Sequence, residues 1–158
     1  MNIKIACNII IYSRGYILLG KRASAVFNDM WSLPGGHANF RESIYRCAKR
    51  ELFEETGFSR VSLNLFFIIE EIKKTEHYYH FFFGVILKKD RPRVKNKEFD
   101  RFKEWRYFKI NNFPKTIIPS HRHAINNFIK ICRKYHRFEN FVSNKNIRNQ
   151  SFFEGIYY

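Results

Sequence analysis

The 158-residue chain has no apolar run near the ~20 residues that a membrane-spanning helix requires. Its longest, Ile3–Tyr12 and Phe81–Leu87, are strand-sized. No small-residue cleavage site follows the first of them, so a secretory leader is not expected. Cysteine is scarce too. Cys7, Cys47 and Cys132 are odd in number, widely spaced and without a CxxC pair. That argues against a disulfide framework or a zinc site and fits packing thiols in a reducing compartment, here read as the cytoplasm. There is no internal repeat and no low-complexity linker, and 45% hydrophobic residues exclude wholesale disorder. Negative charge is in short supply: 14 acids face 29 bases, for a net +15 and a pI near 9.9. Such a surplus favours polyanionic partners, namely nucleotides, nucleic acid or an anionic membrane surface. A chain so rich in Ile, Asn, Lys, Phe and Tyr would also acquire it from AT-biased coding, so charge alone selects no partner.

The length suits one domain. Ile3–Tyr12 reads as a buried strand, Ser13-Arg14-Gly15 as a turn and Tyr16–Leu19 as a second strand. A loop leads to Trp31-Ser32-Leu33 and the breaker Pro34-Gly35-Gly36. From Ser43 to Thr56 there is no Gly or Pro, Ile44, Cys47, Ala48 and Leu52 fall at helical spacings, and Gly57 stands where a C-cap glycine belongs. Strands are expected over Val61–Ile69, His77–Leu87 and Trp105–Phe108. A last helix is expected from Pro119-Ser120, with Ser120 as N-cap and Ala124, Phe128, Ile131 and Cys132 on its apolar face. This order gives an α+β sandwich over residues 1–136. Residues 137–158 form a basic, aromatic tail with Phe138, Phe141, Phe152, Phe153, Tyr157 and Tyr158, suited to pack on the domain, reach a second subunit or contact RNA.

The chemistry concentrates in WSLPGGHANFRESIYRCAKRELFEETGF, Trp31 to Phe58. Glu51, Glu54 and Glu55 stand at i, i+3, i+4 and share one helix face. They repel one another, and they crowd the C-terminal half of the helix, where the macrodipole disfavours each by about 0.3–1 kcal/mol. Carboxylates in that arrangement suit a hard divalent cation such as Mg²⁺ that bridges to phosphate. The glycine pair upstream could turn a backbone carbonyl toward the same ion. Glu42 and Arg50 are spaced to pair and pin the loop to the helix. Taken alone, the segment reads equally as a solvated acidic face with an ordinary Arg50–Glu54 pair.

The complete spacing is Gly36, five residues, Glu42, seven residues, Arg50-Glu51-Leu52, one residue, Glu54-Glu55, one residue, Gly57-Phe58. Seven fixed and two hydrophobic positions coincide by chance with a probability on the order of 10⁻⁸. The segment resembles the Nudix box. Ile17-Leu18-Leu19-Gly20-Lys21-Arg22 before it, and Glu104–Phe108 with Phe113-Pro114 after it, resemble the flanks of MutT-type nucleoside triphosphate pyrophosphohydrolases. The likeness covers about residues 3–132. It implies an α/β/α sandwich around a mixed sheet and Mg²⁺-dependent hydrolysis of a nucleoside diphosphate linked to another group, with Mn²⁺ as a substitute metal. By position, Glu51, Glu54 and Glu55 would ligate the metal, Gly35 would offer its carbonyl, Arg50 would orient the glutamates and Glu42 would brace Arg50. Either Glu51 or a late-loop acid would deprotonate the water, and Glu98 is the first candidate for that acid, ahead of Asp100 and Glu104. Lys21, Arg22 and the basic 88–109 segment would neutralise phosphate, and His37 either contacts phosphate or is an exposed loop histidine.

The resemblance implies a (d)NTP as substrate, with an RNA 5′ end, a nucleotide sugar, a dinucleotide or a non-catalytic sensor as alternatives. A homodimer is common in the family. Arg41 stands where glycine is common. The acidic cluster is complete, which argues against the GDP-mannose mannosyl hydrolase group despite the shared Leu-Gly-Lys-Arg entry. Elsewhere, Phe66-Phe67 and Phe81–Phe83 divide between core and a base-stacking surface. His77–His80 lacks a metal context, and His121-Arg122-His123 is either a solvated helix start or a phosphate contact.

Overall fold

In the computed structural model, which describes residues 2–95, 98–136, 138–143 and 153–157, strand β1 (Asn2–Ser13) is the spine of the sheet. Its alternating Ile residues serve both faces, as the two-residue period of a strand requires when neither face meets water. Ile9 and Ile11 are buried on one side and Ile10 on the other. Strands β2 (Tyr16–Arg22), β3 (Trp31–Ser32), β4 (Gly35–His37), β5 (Asn64–Ile72), β6 (Glu76–Ile86), β7 (Phe102–Lys109) and β8 (Phe153–Tyr157) complete one mixed sheet among the described residues. Its order is β3-β2-β1-β6-β5-β8, with β4 paired to β1 and β7 to β2. β1 runs parallel to β6, from Asn2 opposite Glu76 to Tyr12 opposite Ile86. At its middle it pairs antiparallel with β4, Ala6 opposite His37 and Asn8 opposite Gly35.

Helix α1 (Ile44–Thr56) covers one face over Cys7, Ile9, Ile11, Leu18, Phe83 and Val85. Helices α2 (Pro119–Lys134) and α3 (Phe138–Ser143) lie on the other side, where Phe128 and Phe138 join Ile10, Ile17, Leu19, Phe66, Phe67 and Phe82. The result is the α/β/α sandwich expected. Of the aromatic runs, Phe66, Phe67, Phe82 and Phe83 are core.

Helix α1 has the predicted bounds. Ser43 is its N-cap, with Oγ accepting from the Arg46 N–H, and Gly57 closes it in the left-handed region at φ 77°. Other boundaries move: β2 runs on to Arg22 and β5 to Ile72, and three starts shift for local reasons. β5 starts at Asn64 rather than Val61, because Val61 and Leu63 pack beneath α1 as loop residues. β7 starts at Phe102, because its pairing with β2 reaches back to Arg22. Ser120 does not cap α2: Ile118 is the N-cap residue and Pro119, with its fixed φ and no N–H to lose, takes the first turn. Of the tail, Phe138 is buried against Phe66 and Phe128, and β8 pairs parallel with β5, Ile68 opposite Phe153. Phe152 and Tyr158, and the side chains of Phe141, Phe153 and Tyr157, lie outside the described residues.

Candidate active site

The β4 strand brings the two glycines against the C-terminal half of α1, and the space for this is made by their missing side chains. A Cβ on Gly36 would lie 2.4 Å from Glu51 Oε1, and one on Gly35 would lie 2.1 Å from the Cys7 carbonyl oxygen. Gly35 also adopts φ 148°, which other residues rarely take. The glycine pair thus opens the slot into which the helix turns its acids.

Glu51 and Glu55 point inward, 4% and 0% exposed, whereas the Glu54 side chain is 41% exposed at the rim. Arg50 organises the outer half. Its Nη1 donates to Glu51 Oε1 at 2.6 Å and to Glu54 Oε2 at 3.1 Å, while Nε and Nη2 clasp Glu42 at 2.9 Å each. Arg50 Nη2 also donates to the His37 carbonyl at 3.1 Å. The predicted Glu42–Arg50 clamp therefore joins loop to helix in bidentate form. The guanidinium, with the Asn39 N–H, holds the Glu42 carboxyl down to about 2.

The inner half is under-satisfied. Glu55 Oε2 accepts the Gly35 N–H at 2.7 Å, so Gly35 meets the cluster through its N–H. Glu55 Oε1 and Glu51 Oε2 are both buried and, among the described residues, accept no hydrogen bond. Burial pushes the Glu55 pKa well above the ordinary carboxylate value, and the Glu51 charge pushes it further, against the pull of the Gly35 N–H and the Arg101 charge. Native proteins leave few buried polar atoms unpaired, because each costs about 1–3 kcal/mol and a charged one more.

A cation that faces both of these oxygens is Arg101, one base of the 88–109 segment. Its Nη1 lies 3.7 Å from each of them and 3.0 Å from Glu98 Oε2. The structure thus brings Glu98 to the cluster. Glu104 pairs with Arg106 instead. Among the described residues no group of three His, Cys, Asp or Glu side chains stands ready to hold a metal ion; the carboxylates face a guanidinium. Their chemistry nevertheless fits a hard divalent cation: every donor is a carboxylate oxygen, and two of them are buried with no hydrogen bond from the described residues.

The remaining predicted residues are dispersed around this centre. Lys21 Nζ lies 3.4 Å from Asp29. Arg22 is held in its own loop by Ser24 Oγ at 2.7 Å and the Val26 carbonyl at 3.2 Å, and its pKa is lowered by burial and by Arg101. The His37 ring lies 6.2 Å from that of Tyr78, and desolvation followed by the Lys4 charge lowers its pKa. His121 is neither a solvated helix start nor a phosphate contact. It is buried, its Nδ1 accepts the Leu33 N–H at 3.0 Å, and burial drives its pKa down to about 3.

The comparisons with known proteins agree with this architecture. The NUDIX domain family matches residues 2–128, most of the chain. A MutT NUDIX hydrolase from Burkholderia pseudomallei is similar at TM-score 0.72 and 25% identity, over 80% of this chain and 98% of that one. A NUDIX hydrolase from Nitrosomonas europaea superposes at 0.67 with 20% identity, over 100% and 81% of the two chains. A MutT protein from Methanosarcina mazei Go1 does so at 0.67 with 21% identity, over 84% and 95%. The fold is that of pyrophosphohydrolases that act on nucleoside diphosphate-linked substrates and generally use divalent metal ions. The chain belongs to the NUDIX family.

Proposed function

We propose that this chain is a MutT-like (d)NTP pyrophosphohydrolase that uses Mg²⁺, or Mn²⁺ in its place, to release a nucleoside monophosphate and pyrophosphate. The observation that carries the reading is the pair of buried carboxylate oxygens, Glu51 Oε2 and Glu55 Oε1, that no hydrogen bond from the described residues satisfies. With Glu54 at the rim they are the residues that would hold the metal. A bound divalent ion would neutralise the diphosphate and acidify the attacking water. The chain's own residues do the rest. Arg50 fixes the orientation of Glu51 and Glu54, Glu42 locks Arg50, and the Gly35 N–H fixes Glu55, so the donor set is preorganised. Glu51 or Glu98 takes the proton from the water. Lys21 and Arg22 would add positive charge for the phosphates, and His37, its pKa lowered by desolvation, would contact them as a neutral ring. With its three cysteines unpaired, the chain suits a reducing compartment such as the cytoplasm.

Incubation with a panel of (d)NTPs and Mg²⁺, with products identified by mass spectrometry, tests this. Monophosphate and pyrophosphate are expected. Turnover of a nucleotide sugar or dinucleotide with none of any triphosphate would reassign the substrate. The +15 charge supports a second reading, removal of pyrophosphate from RNA 5′ ends. RNA ends that stay intact after prolonged incubation would remove it.

A further inference from the structure

We propose that Arg101 is a tethered counter-ion of the metal site: in the metal-free enzyme its guanidinium holds the position a divalent cation takes, and on metal entry it moves to the mouth, where the substrate phosphates arrive. The inference rests on reading Glu51, Glu54 and Glu55 as the metal-holding acids.

Three observations lead to it. Nη1 of Arg101 stands at 3.0 Å from Glu98 and at 3.7 Å from both Glu51 Oε2 and Glu55 Oε1. The last two are the buried oxygens that accept no hydrogen bond from any described residue. At 3.7 Å the guanidinium neutralises them by charge but does not satisfy them by hydrogen bonding. This contact relieves the cost of the buried acids in part and remains displaceable. Secondly, the backbone of Arg101 is anchored while its side chain has room to leave. Its N–H donates to the Glu98 carbonyl at 3.1 Å and its carbonyl accepts the Ala23 N–H at 2.8 Å, yet the side chain is 41% exposed. Thirdly, the mouth is already positive. Arg22 stands close enough for Arg101 to lower its pKa, but Arg22 is committed to Ser24 and Val26. A second guanidinium displaced beside it needs an anion, and a phosphate with bidentate geometry supplies one.

The exchange makes metal and substrate binding mutually supportive. Metal releases the guanidinium for phosphate, and phosphate stabilises the arrangement in which Arg101 has vacated the acids. The cost is a lower apparent metal affinity, reduced by the fraction of molecules in which the site is open.

The experiment measures Mn²⁺ binding by calorimetry, and melting temperature in EDTA and in Mn²⁺, for the wild type, Arg101→Gln, Arg101→Lys and Glu55→Gln. Arg101→Gln is expected to bind Mn²⁺ roughly tenfold more tightly, the factor for a site open in about a tenth of molecules. It should melt lower than wild type in EDTA and regain the difference in Mn²⁺, and its KM for nucleotide should rise more than its kcat falls. Arg101→Lys, which keeps the charge, should fall between the two in Mn²⁺ affinity. If Arg101→Gln folds only with Mn²⁺ present, that also supports the counter-ion role; if it folds under neither condition, the Mn²⁺ affinity of Arg101→Lys decides. A wild type that binds Mn²⁺, with Glu55→Gln impaired and the Arg101 variants unchanged in affinity and in EDTA stability, overturns the role of Arg101 and leaves the metal site standing. A wild type that binds no Mn²⁺ overturns the metal site itself.

Discussion

Helices α1 and α2 lie on opposite faces of one sheet and follow opposite rules. α2 has Pro in its first turn, Arg133 and Lys134 in its last, and a buried stripe that includes Ala124, Ile125 and Phe128. Every one of those choices favours a stable helix. α1 has no acid in its first turn and no base in its last, and it buries Glu51 and Glu55 among Cys47, Ala48 and Leu52. Such a helix is tolerable because Arg50 and Arg101 surround the acids with positive charge, and Arg50 and the Gly35 N–H donate hydrogen bonds to them. Where a segment breaks rules that its counterpart obeys, chemistry is the reason to look for.

Substitutions can break the contrast from either side. The largest effect should come from Phe128→Ala in α2, which removes a fully buried ring packed on Tyr12, Phe66 and Phe138. Chemical denaturation should show a loss of about 3–5 kcal/mol, with specific activity of the folded fraction retained. Glu55→Gln in α1 should do the reverse. Turnover should drop by at least about 10²-fold, beyond what outer-shell partners of a metal site cost, while melting in EDTA is no lower than in the wild type because a buried charge has gone. Equal losses in both measurements would erase the distinction between the two helices.

A smaller effect follows from His121, which α2 keeps neutral. Its pKa is about 3, against 6.5 in an unfolded chain, through burial and then the nearby His80 and Arg22 charges. Between those values the unfolded chain binds a proton that the folded one refuses, so stability rises with pH there. The contribution is intact above pH 6.5 and is lost at about 1.4 kcal/mol per unit below it, roughly 2 kcal/mol by pH 5. Denaturant titrations at pH 6.5 and 5 should reveal the loss, and His121→Asn, which retains an acceptor for the Leu33 N–H, should abolish most of it. The smallest effect is Ser43→Ala at the α1 N-cap, expected to cost about 1 kcal/mol without touching turnover.

How legible each part was in the sequence follows the range of the interactions that determine it. α1 could be bounded closely because Ser43, the Gly-free run and Gly57 act within a turn of where they stand. The Glu42–Arg50 clamp was visible for the same reason, its partners being eight residues apart. His121 was misread because its partner is Leu33, 88 residues away. Arg101 was legible only as one base of the 88–109 segment, because Glu51 and Glu55 are on another element and only the turn ahead of β7 carries it to them. The start of β5 was misplaced because Val61 and Leu63 look like strand residues whether they pair in a sheet or pack under a helix. Of the phenylalanine runs, alternation told that both faces were supplied but not that both faces were covered.

The placement of β1 has a consequence for how the enzyme is born. Residues 2–12 lie alongside residues 76–86, which the ribosome delivers some seventy residues later, and parallel pairings across such a gap close slowly. The cradle formed by Gly35 and Gly36 hangs on that same strand. A nascent chain therefore carries the full acidic motif well before it has the scaffold to aim it, and competence to cut phosphoanhydrides waits at least for β6 to join β1.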